Sequence, residues 1–591
     1  MGKGAGTGLE PEGTTLVGLL RRAARHPDAG LRILNRGGDE RWLPWPVVHE
    51  RARRVAGGLR KLAVRRGDRV ALVFPTCPGF FDTFFGVLLA GATPVPIYPP
   101  VRLGRLPEYE QRTARMFSSA GVRLVLADPR VRRLLGEAVA LARPPLGCLT
   151  PADVEAESWD GENVSPGEIA LIQFSSGTTR EPRGVALSHR AVVAQAETLN
   201  AFWPDTPEVT HSGVSWLPLY HDMGLIGCVF PALERPGTLT LLPPEVFVAS
   251  PATWLRAIST CRATISPAPN FAYSHCLRRV TDEEMEGVDL SSWRVALNVA
   301  ECVEPEVARA VQRRFAAWGF RPEALTPVYG LSEASLAVTF SDPARPFVSR
   351  RFDRSRLAVG AGAVRESPQG REIVSVGCPI PGVGLRIVGT DGRPLPAAHT
   401  GEVECRGPSI MDGYVGDTAA TYEALRDGWL RTGDLGFLFE GELYLTGRAK
   451  DTLLLRGRNY APEEVEQAVG SVEGVRPGAA VAVSWLPEGA EGERLLVLVE
   501  ARRDVHAADF DRIARECEAR ILAATGLSPD HVAVLPAGSL PRTSSGKIRR
   551  QAALAQHLTG TLGPPAPVTR LRLAAAVLRS AVAFLWARVR R

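Results

Sequence analysis

No two cysteines of this 591-residue chain stand in a C-x-x-C spacing, and the nine that occur are scattered from Cys77 to Cys517 and odd in number. That argues against a disulfide framework or a thiolate zinc site and fits a reducing cytoplasm. An apolar leader is also missing. The opening MGKGAGTGLEPEGTT carries Glu10 and Glu12, so residues 1–15 read as a flexible lead-in, not a signal peptide. Gly2 would suit myristoylation, but Gly6 stands where that signal needs a hydroxyl. Net charge is scarce as well: +6 over this length gives no reason to expect a nucleic-acid partner. What remains, 45% hydrophobic and 23% charged residues, is the composition of a soluble globular protein long enough for more than one domain.

The glycine- and hydroxyl-rich stretch at residues 169–191, IALIQFSSGTTREPRGVALSHRA, lacks a lysine after Gly184 and is therefore not a G-x-x-x-x-G-K-[ST] phosphate loop. It does hold an apolar run, then Ser175, Ser176, Gly177, Thr178 and Thr179, then Arg180, Pro182 and Arg183, then a second apolar run. The pattern predicts strand, phosphate loop, strand. Small residues let backbone N–H groups approach a polyphosphate, hydroxyls donate to its oxygens, and guanidinium groups pair with oxyanions in a fork. Taken alone, the loop fits an ordinary hairpin turn equally well.

Residues 16–66 are expected to form helices interrupted by a loop at Gly37 and Gly38. Apolar runs at 70–74, 94–98, 122–127 and 237–242, with a helix over 80–92, predict a covered and largely parallel sheet. Residues 214–219 read as a strand that ends in Tyr220, His221 and Asp222, where α/β enzymes place ligand contacts. The same imidazole and carboxylate could instead serve loop backbone. Another strand, 295–301, finishes in Ala300 and Glu301. In TPVYGLSEASLAVTF, beginning at Thr326, Tyr329 beside Gly330 offers a face for a purine, and Glu333, after Ser332, offers a carboxylate for Mg²⁺. Gly330 to Ala334 also half-matches a nucleophile elbow, but no Asp and His follow in the matching context.

Residues 341–369 are irregular and rich in Arg, Pro and Gly, and they read as an insertion. Short β-like pieces after Val374, with a turn at Asp391 and Gly392, predict a small antiparallel subdomain. Beyond Asp434, Arg448 and Lys450 comes an α+β unit. Its helix at 461–469 has Pro462 in the first turn, strands lie at 481–483 and 495–500, and a helix covers 509–524. The unit ends in a loop, 540–548, that carries Lys547.

In this order the stretches resemble the adenylate-forming superfamily over about residues 16–556. The similarity is greatest to its fatty acyl-AMP ligase branch, through WLPLYHDMGLIG from Trp216, APNFAY from Ala268 and YGLSEA from Tyr329. Arg180 stands where most of the superfamily has glycine, and residues 341–369 fall where these ligases carry an insertion associated with poor use of coenzyme A. The resemblance implies an α/β fold in which a large N-terminal domain (16–449) combines parallel-sheet subdomains with a small β-rich one. A small mobile α+β C-terminal domain (450–560) would follow.

It also implies that ATP, with Mg²⁺, activates a fatty acid to acyl-adenylate, and that the acyl group then passes to an acyl carrier protein or polyketide synthase in trans. On this reading Ser175, Ser176, Gly177, Thr178, Thr179, Arg180 and Arg183 hold phosphates. Ala300, Glu301, Tyr329, Gly330 and Ser332 line the nucleotide pocket, Asp434 and Arg448 take the ribose side, and Glu333 binds Mg²⁺. His221, Glu333 and Lys547 are the catalytic candidates, and Lys450 is the hinge. Four positions depart from the branch's pattern: Val299 and Cys302 replace glycine and proline, Arg183 replaces lysine, and Ser332 replaces alanine. The alternatives are an acyl-CoA synthetase and a non-catalytic acyl- or adenylate-binding relative, against which Glu333, Asp434, Arg448 and Lys547 speak.

After Asp530 the chain contains no acidic residue. Residues 561–591 read as a Pro/Gly linker followed by an arginine-interrupted apolar helix, too short and too charged to span a bilayer. Two placements are open for that helix: lying on an anionic membrane with Phe584 and Trp586 in the interface, or docked on its own protein or a partner. The corresponding location is the cytoplasm, with peripheral contact at the inner membrane face.

Overall fold

Short runs of valine, leucine, isoleucine and alanine form strands here because both faces of each strand are covered. The computed structural model describes residues 13–35, 39–101, 103–175, 182–207, 209–455, 458–487, 492–543 and 546–589. The largest sheet has nine strands. From one edge these are Cys378–Pro379, Ala337–Phe340, Leu325–Gly330, Val295–Asn298, Ile265–Ala268, Gly213–Ser215, Leu239–Leu241, Gly30–Leu34 and Glu40–Pro44. The six strands from Leu325–Gly330 to Gly30–Leu34 pair in parallel, and the outer ones are antiparallel. A second, parallel sheet holds Thr93–Ile97, Arg69–Val73, Leu124–Ala127 and Cys148–Leu149.

Three expectations from the sequence need correction. Residues 16–66 are not helical throughout: the helices Leu16–Ala23 and Trp45–Lys61 enclose the hairpin Gly30–Leu34 with Glu40–Pro44, and the expected loop glycines Gly37 and Gly38 lie outside the described residues. Leu31 and Ile33 are buried by pairing beside Leu239–Leu241, a partner far along the chain that no local pattern reveals. The strand expected over 214–219 covers only Gly213–Ser215, with Pro218 among the residues that leave the ladder. The insertion at 341–369 is more regular than expected. Its strand Ser349–Phe352 pairs with Arg371–Val374, and Phe352 is buried against Phe437 and Tyr444.

A three-stranded antiparallel sheet joins Ile169–Phe174, Gly184–Ser188 and Gly413–Tyr414. This delivers the expected strand–loop–strand and sets Tyr414 opposite Val185. The small β-rich subdomain has Trp429–Phe439 at its centre, flanked by Gly401–Arg406 and Glu442–Arg448, in a register that places Asp434 opposite Arg448. The smaller C-terminal domain is built on Val475–Trp485, Arg494–Ala501 and His531–Leu535, packed with the helices Pro462–Gly470 and Phe510–Thr525. The fold expected from the sequence, a large parallel-sheet α/β domain and a small α+β one, is the fold observed.

The chain then returns to the large domain. From the large domain, Arg105 Nη2 donates to the carbonyls of Gly538 (3.4 Å) and Ser539 (3.1 Å) in the small domain and of Gly563 (2.9 Å) in the connecting segment. The tail helix Arg570–Val589 docks on the helix Gly136–Ala142, where the Gly136 N–H donates to Ser580 Oγ at 2.8 Å. Ala576, Ser580 and Ala583 face inward, and the Arg132 guanidinium lies 4.8 Å over the Phe584 ring. Of the two placements left open by the sequence, docking on its own protein is the one observed for this face. No helix among the described residues is long and apolar enough to cross a membrane.

A Cβ at Gly136 would sit 2.0 Å from the Ser580 carbonyl oxygen, so only glycine permits this approach. Gly136→Val is expected to cost the docked helix about 1–3 kcal/mol. Hydrogen exchange should then show faster exchange confined to residues 570–589, with protection in the large sheet unchanged.

Candidate active site

The parallel strands of the large sheet end on one side, and the residues that follow them converge there. This is the edge where open α/β sheets bind ligands. Asp222 follows Gly213–Ser215 through a short loop, Asn270 follows Ile265–Ala268, Ala300 and Glu301 follow Val295–Asn298, and Ser332 and Glu333 follow Leu325–Gly330. A cavity of about 1740 Å³ opens at this edge, lined by these groups and by Tyr329, Asp434, Arg448, Lys450 and Lys547. Apolar side chains, among them Trp216, Met223, Leu336 and Phe340, form another part of its wall.

Asp222 is buried, and its carboxylate accepts from the Met223 N–H at 2.7 Å and is held by two side chains. His221 Nδ1 lies 2.5 Å from Oδ1, and the Ser332 hydroxyl donates to Oδ2. Burial pushes its pKa up, but the His221 charge and hydrogen bonds, the Ser332 hydroxyl and the Lys547 charge prevail and hold it at about 2. Asp434, also buried, accepts from the Tyr329 hydroxyl (2.7 Å) and from Arg448 Nε (2.8 Å). Glu333 accepts from the Tyr414 hydroxyl at 2.8 Å, and burial keeps its carboxyl above the usual range. Glu301 accepts from the Phe271 N–H at 3.0 Å and is likewise raised by burial.

The neighbouring backbone is strained and closely packed. Ala300 adopts φ +72°, a conformation costly for a residue with a Cβ. A Cβ on Gly330 would lie 1.8 Å from the Leu336 carbonyl oxygen, so a side chain is excluded directly after Tyr329.

Ser175 begins the glycine- and hydroxyl-rich loop. Its N–H donates to the Arg183 carbonyl (3.0 Å), while the Arg183 N–H donates back to Ser175 Oγ (3.3 Å), so the loop is pinched at its base. Ser176, Gly177, Thr178, Thr179 and Arg180 lie outside the described residues. The Arg183 guanidinium stacks 5.1 Å over Tyr414, and its Nε lies 3.5 Å from Asp417.

Lys547 enters from the small domain. Its backbone is fixed by a turn in which the Thr543 N–H donates to the Lys547 carbonyl (2.7 Å) and the Lys547 N–H donates to Thr543 Oγ1 (3.1 Å). Burial and the Arg448 charge lower its pKa, while Glu301, Asp222 and Asp434 pull the other way. Arg550, on the helix that follows, binds Glu466 (2.8 Å), Asp451 (3.1 Å) and Glu463 (3.2 Å), which ties this segment to the residue next to Lys450.

Among the described residues, the structure thus brings His221, Ala300, Glu301, Tyr329, Gly330, Ser332, Glu333, Asp434, Arg448 and Lys547 to one cavity, with Ser175, Arg183 and Lys450 in its lining. Tyr414 and Asp222 complete the arrangement; the sequence placed Asp222 among ligand contacts without assigning it a role, and Tyr414 was not a candidate. Asp222 was visible beside His221 in WLPLYHDMGLIG. Tyr414 carries no local signal, because its place beside Glu333 depends on pairing with Val185, more than two hundred positions earlier.

Comparison with known proteins agrees with this geometry. The family described as AMP-binding enzyme matches residues 19–415. The chain is 34% identical over 530 residues to a Caulobacter vibrioides protein provisionally named an acyl-CoA synthetase, covering 88% of this chain and 91% of that one. It is 33% identical over 584 residues to the medium-chain-fatty-acid–[acyl-carrier-protein] ligase JamA of Moorena producens, covering 94% and 96%. A structure from a study of fatty acyl-adenylate ligases of E. coli and L. pneumophila superposes with a TM-score of 0.84 at 32% identity, covering 92% of this chain and 98% of that one. The chain belongs to the AMP-binding, adenylate-forming enzyme family, and its relatives there include fatty acyl-adenylate ligases.

Proposed function

We propose that the protein activates a fatty acid with ATP and hands the acyl group to the phosphopantetheine thiol of an acyl carrier protein or polyketide synthase. The observation that carries this reading is Lys547. A cation from the small domain stands in the cavity beside charged groups of the large one, Asp222, Glu301, Asp434 and Arg448. In the first half-reaction the fatty carboxylate attacks the α-phosphorus of ATP and pyrophosphate leaves. Lys547 would stabilise charge developing on the α-phosphate and carboxylate oxygens, a preorganised contact that needs no rearrangement at the moment of reaction.

The other roles follow from chemistry. The segment from Ser175 to Arg180, with Arg183, would hold the β- and γ-phosphates. Tyr329 would stack on adenine, with Ala300, Glu301, Gly330 and Ser332 around the nucleotide. Asp434 would accept the ribose hydroxyls: two of its lone-pair sites serve Tyr329 and Arg448, and an ionised carboxylate offers about four. Arg448 would lie near ribose and phosphate, and His221 would orient the acyl carboxylate side of the pocket.

Among the described residues no cluster of three or more His, Cys, Asp or Glu side chains is arranged to hold a metal. A Mg²⁺ arriving with ATP would therefore take Glu333 as protein ligand and fill its shell with phosphate oxygens and water, the usual manner for this ion. It would supply neutralisation of phosphate charge. The small domain, residues 450–560, would turn about Lys450 between half-reactions, relative to a large domain of residues 16–449. The Caulobacter relative's name supports a second reading, an acyl-CoA synthetase.

Product analysis with ATP, Mg²⁺ and a panel of fatty acids separates the two readings. Acyl-adenylate that accumulates despite coenzyme A is the expected outcome, and efficient acyl-CoA formation would replace the ligase with the synthetase. Lys547→Ala should lower ATP–pyrophosphate exchange by about 10²–10³ and leave thioester formation from preformed acyl-adenylate far less affected. Because the charged amine is the active form and its pKa is lowered, kcat/KM for adenylation should fall as pH rises through a value below that of a free lysine. In Lys547→Arg, slower throughout, this alkaline limb should vanish because guanidinium keeps its proton. An unchanged limb would assign it to another group.

A further inference from the structure

The tail helix Arg570–Val589 buries one side and exposes the other. At about 100° per residue, its docked residues Ala576, Ser580 and Ala583 lie together on the side facing Gly136–Ala142. Leu571, Leu578, Val582 and Leu585 fall in a sector only about 60° wide on the far side. These outer side chains are 84%, 67%, 43% and 61% exposed, and Trp586 at the edge of the sector is 59% exposed. Such a stripe has no counterpart in the core it sits on. Four large apolar residues in a row on solvent are a marker of an interaction surface.

The charges define what it meets. Arg570 falls to one side of the stripe and Arg572 and Arg579 to the other, each roughly 90–110° from its centre, and the chain has no acidic residue beyond Asp530. We propose that this face of the tail helix lies on an anionic lipid surface. Its leucines would enter the acyl boundary, while the guanidinium groups on both flanks would reach phosphate oxygens at headgroup level. A bilayer surface satisfies both flanks at once because it is planar and negatively charged on either side of the helix. A second copy of the same face would set arginines against arginines. The helix lies along the surface and does not cross it, since it is not long and apolar enough to span. Its docked side keeps the contact on the large domain, through the Gly136 to Ser580 bond and the Arg132 to Phe584 stacking.

The test uses the full chain and co-sedimentation with vesicles of phosphatidylcholine alone or mixed with phosphatidylglycerol. Binding to the anionic vesicles, weakened by salt and absent from the neutral ones, is expected. Leu578→Asp/Leu585→Asp, both exposed positions remote from the cavity, should abolish it while ATP–pyrophosphate exchange stays unchanged. Removing Arg572 and Arg579 as glutamines should cost about fivefold in vesicle affinity per arginine. Wild-type protein that ignores anionic vesicles, or double-aspartate protein that binds them equally well, overturns the proposal. So does a concentration-dependent dimer that the aspartates dissolve, which would assign the face to a second copy.

Discussion

A carboxylate taken out of water must be given a partner or lose its charge, and the cavity of this enzyme holds several within a small space. Each is answered by a group from a different part of the chain. Asp222 has His221 and Ser332, Asp434 has Arg448 and Tyr329, and Glu333 has Tyr414. Residues as far apart as 222 and 332, or 333 and 414, are thereby committed to one geometry. The small domain is part of the same balance, because Lys547 brings positive charge toward Asp222, Glu301 and Asp434. The charge balance of the site and the placement of the small domain against the large one are therefore one constraint.

This constraint also bears on how the pocket meets a nucleotide. A site already paired internally must exchange those partners for phosphate, ribose and metal without stranding a buried charge. Arg183 illustrates the point: it rests over the face of Tyr414 and near Asp417, while Tyr414 in turn serves Glu333. The segment expected to bind phosphate and the residue expected to bind Mg²⁺ are thus joined by one tyrosine. A shift at either is felt at the other through a single ring.

Much of this could be read from the sequence where the signal is local. Apolar runs ending in polar residues located the large-sheet strands Gly213–Ser215 and Val295–Asn298, and residues just beyond them, such as Asp222 and Glu301, line the cavity. What the sequence hid was long-range pairing. The hairpin at Gly30–Leu34 and Glu40–Pro44 looked helical, because its burial depends on the distant strand Leu239–Leu241. Tyr414 was silent for the same reason, and Ser349–Phe352 passed for irregular chain because arginines and a single phenylalanine obscure its alternation. The docked side of the tail helix, made of alanine and serine, carries little hydrophobic signal although Ser580 is almost completely buried.

The Arg105 guanidinium, which gathers carbonyls from Gly538, Ser539 and Gly563, gives the small domain a second attachment. One end follows the strand Glu442–Arg448, and the other is carried back to the large domain by the segment between Leu558 and Arg570. A connector of about eleven residues reaches at most roughly 35–40 Å. Any swing of a domain held at both ends would be limited as a check-strap limits a gate, through an arc set by the slack. Shortening or stiffening that strap would alter how far the gate opens without touching a single residue of the cavity.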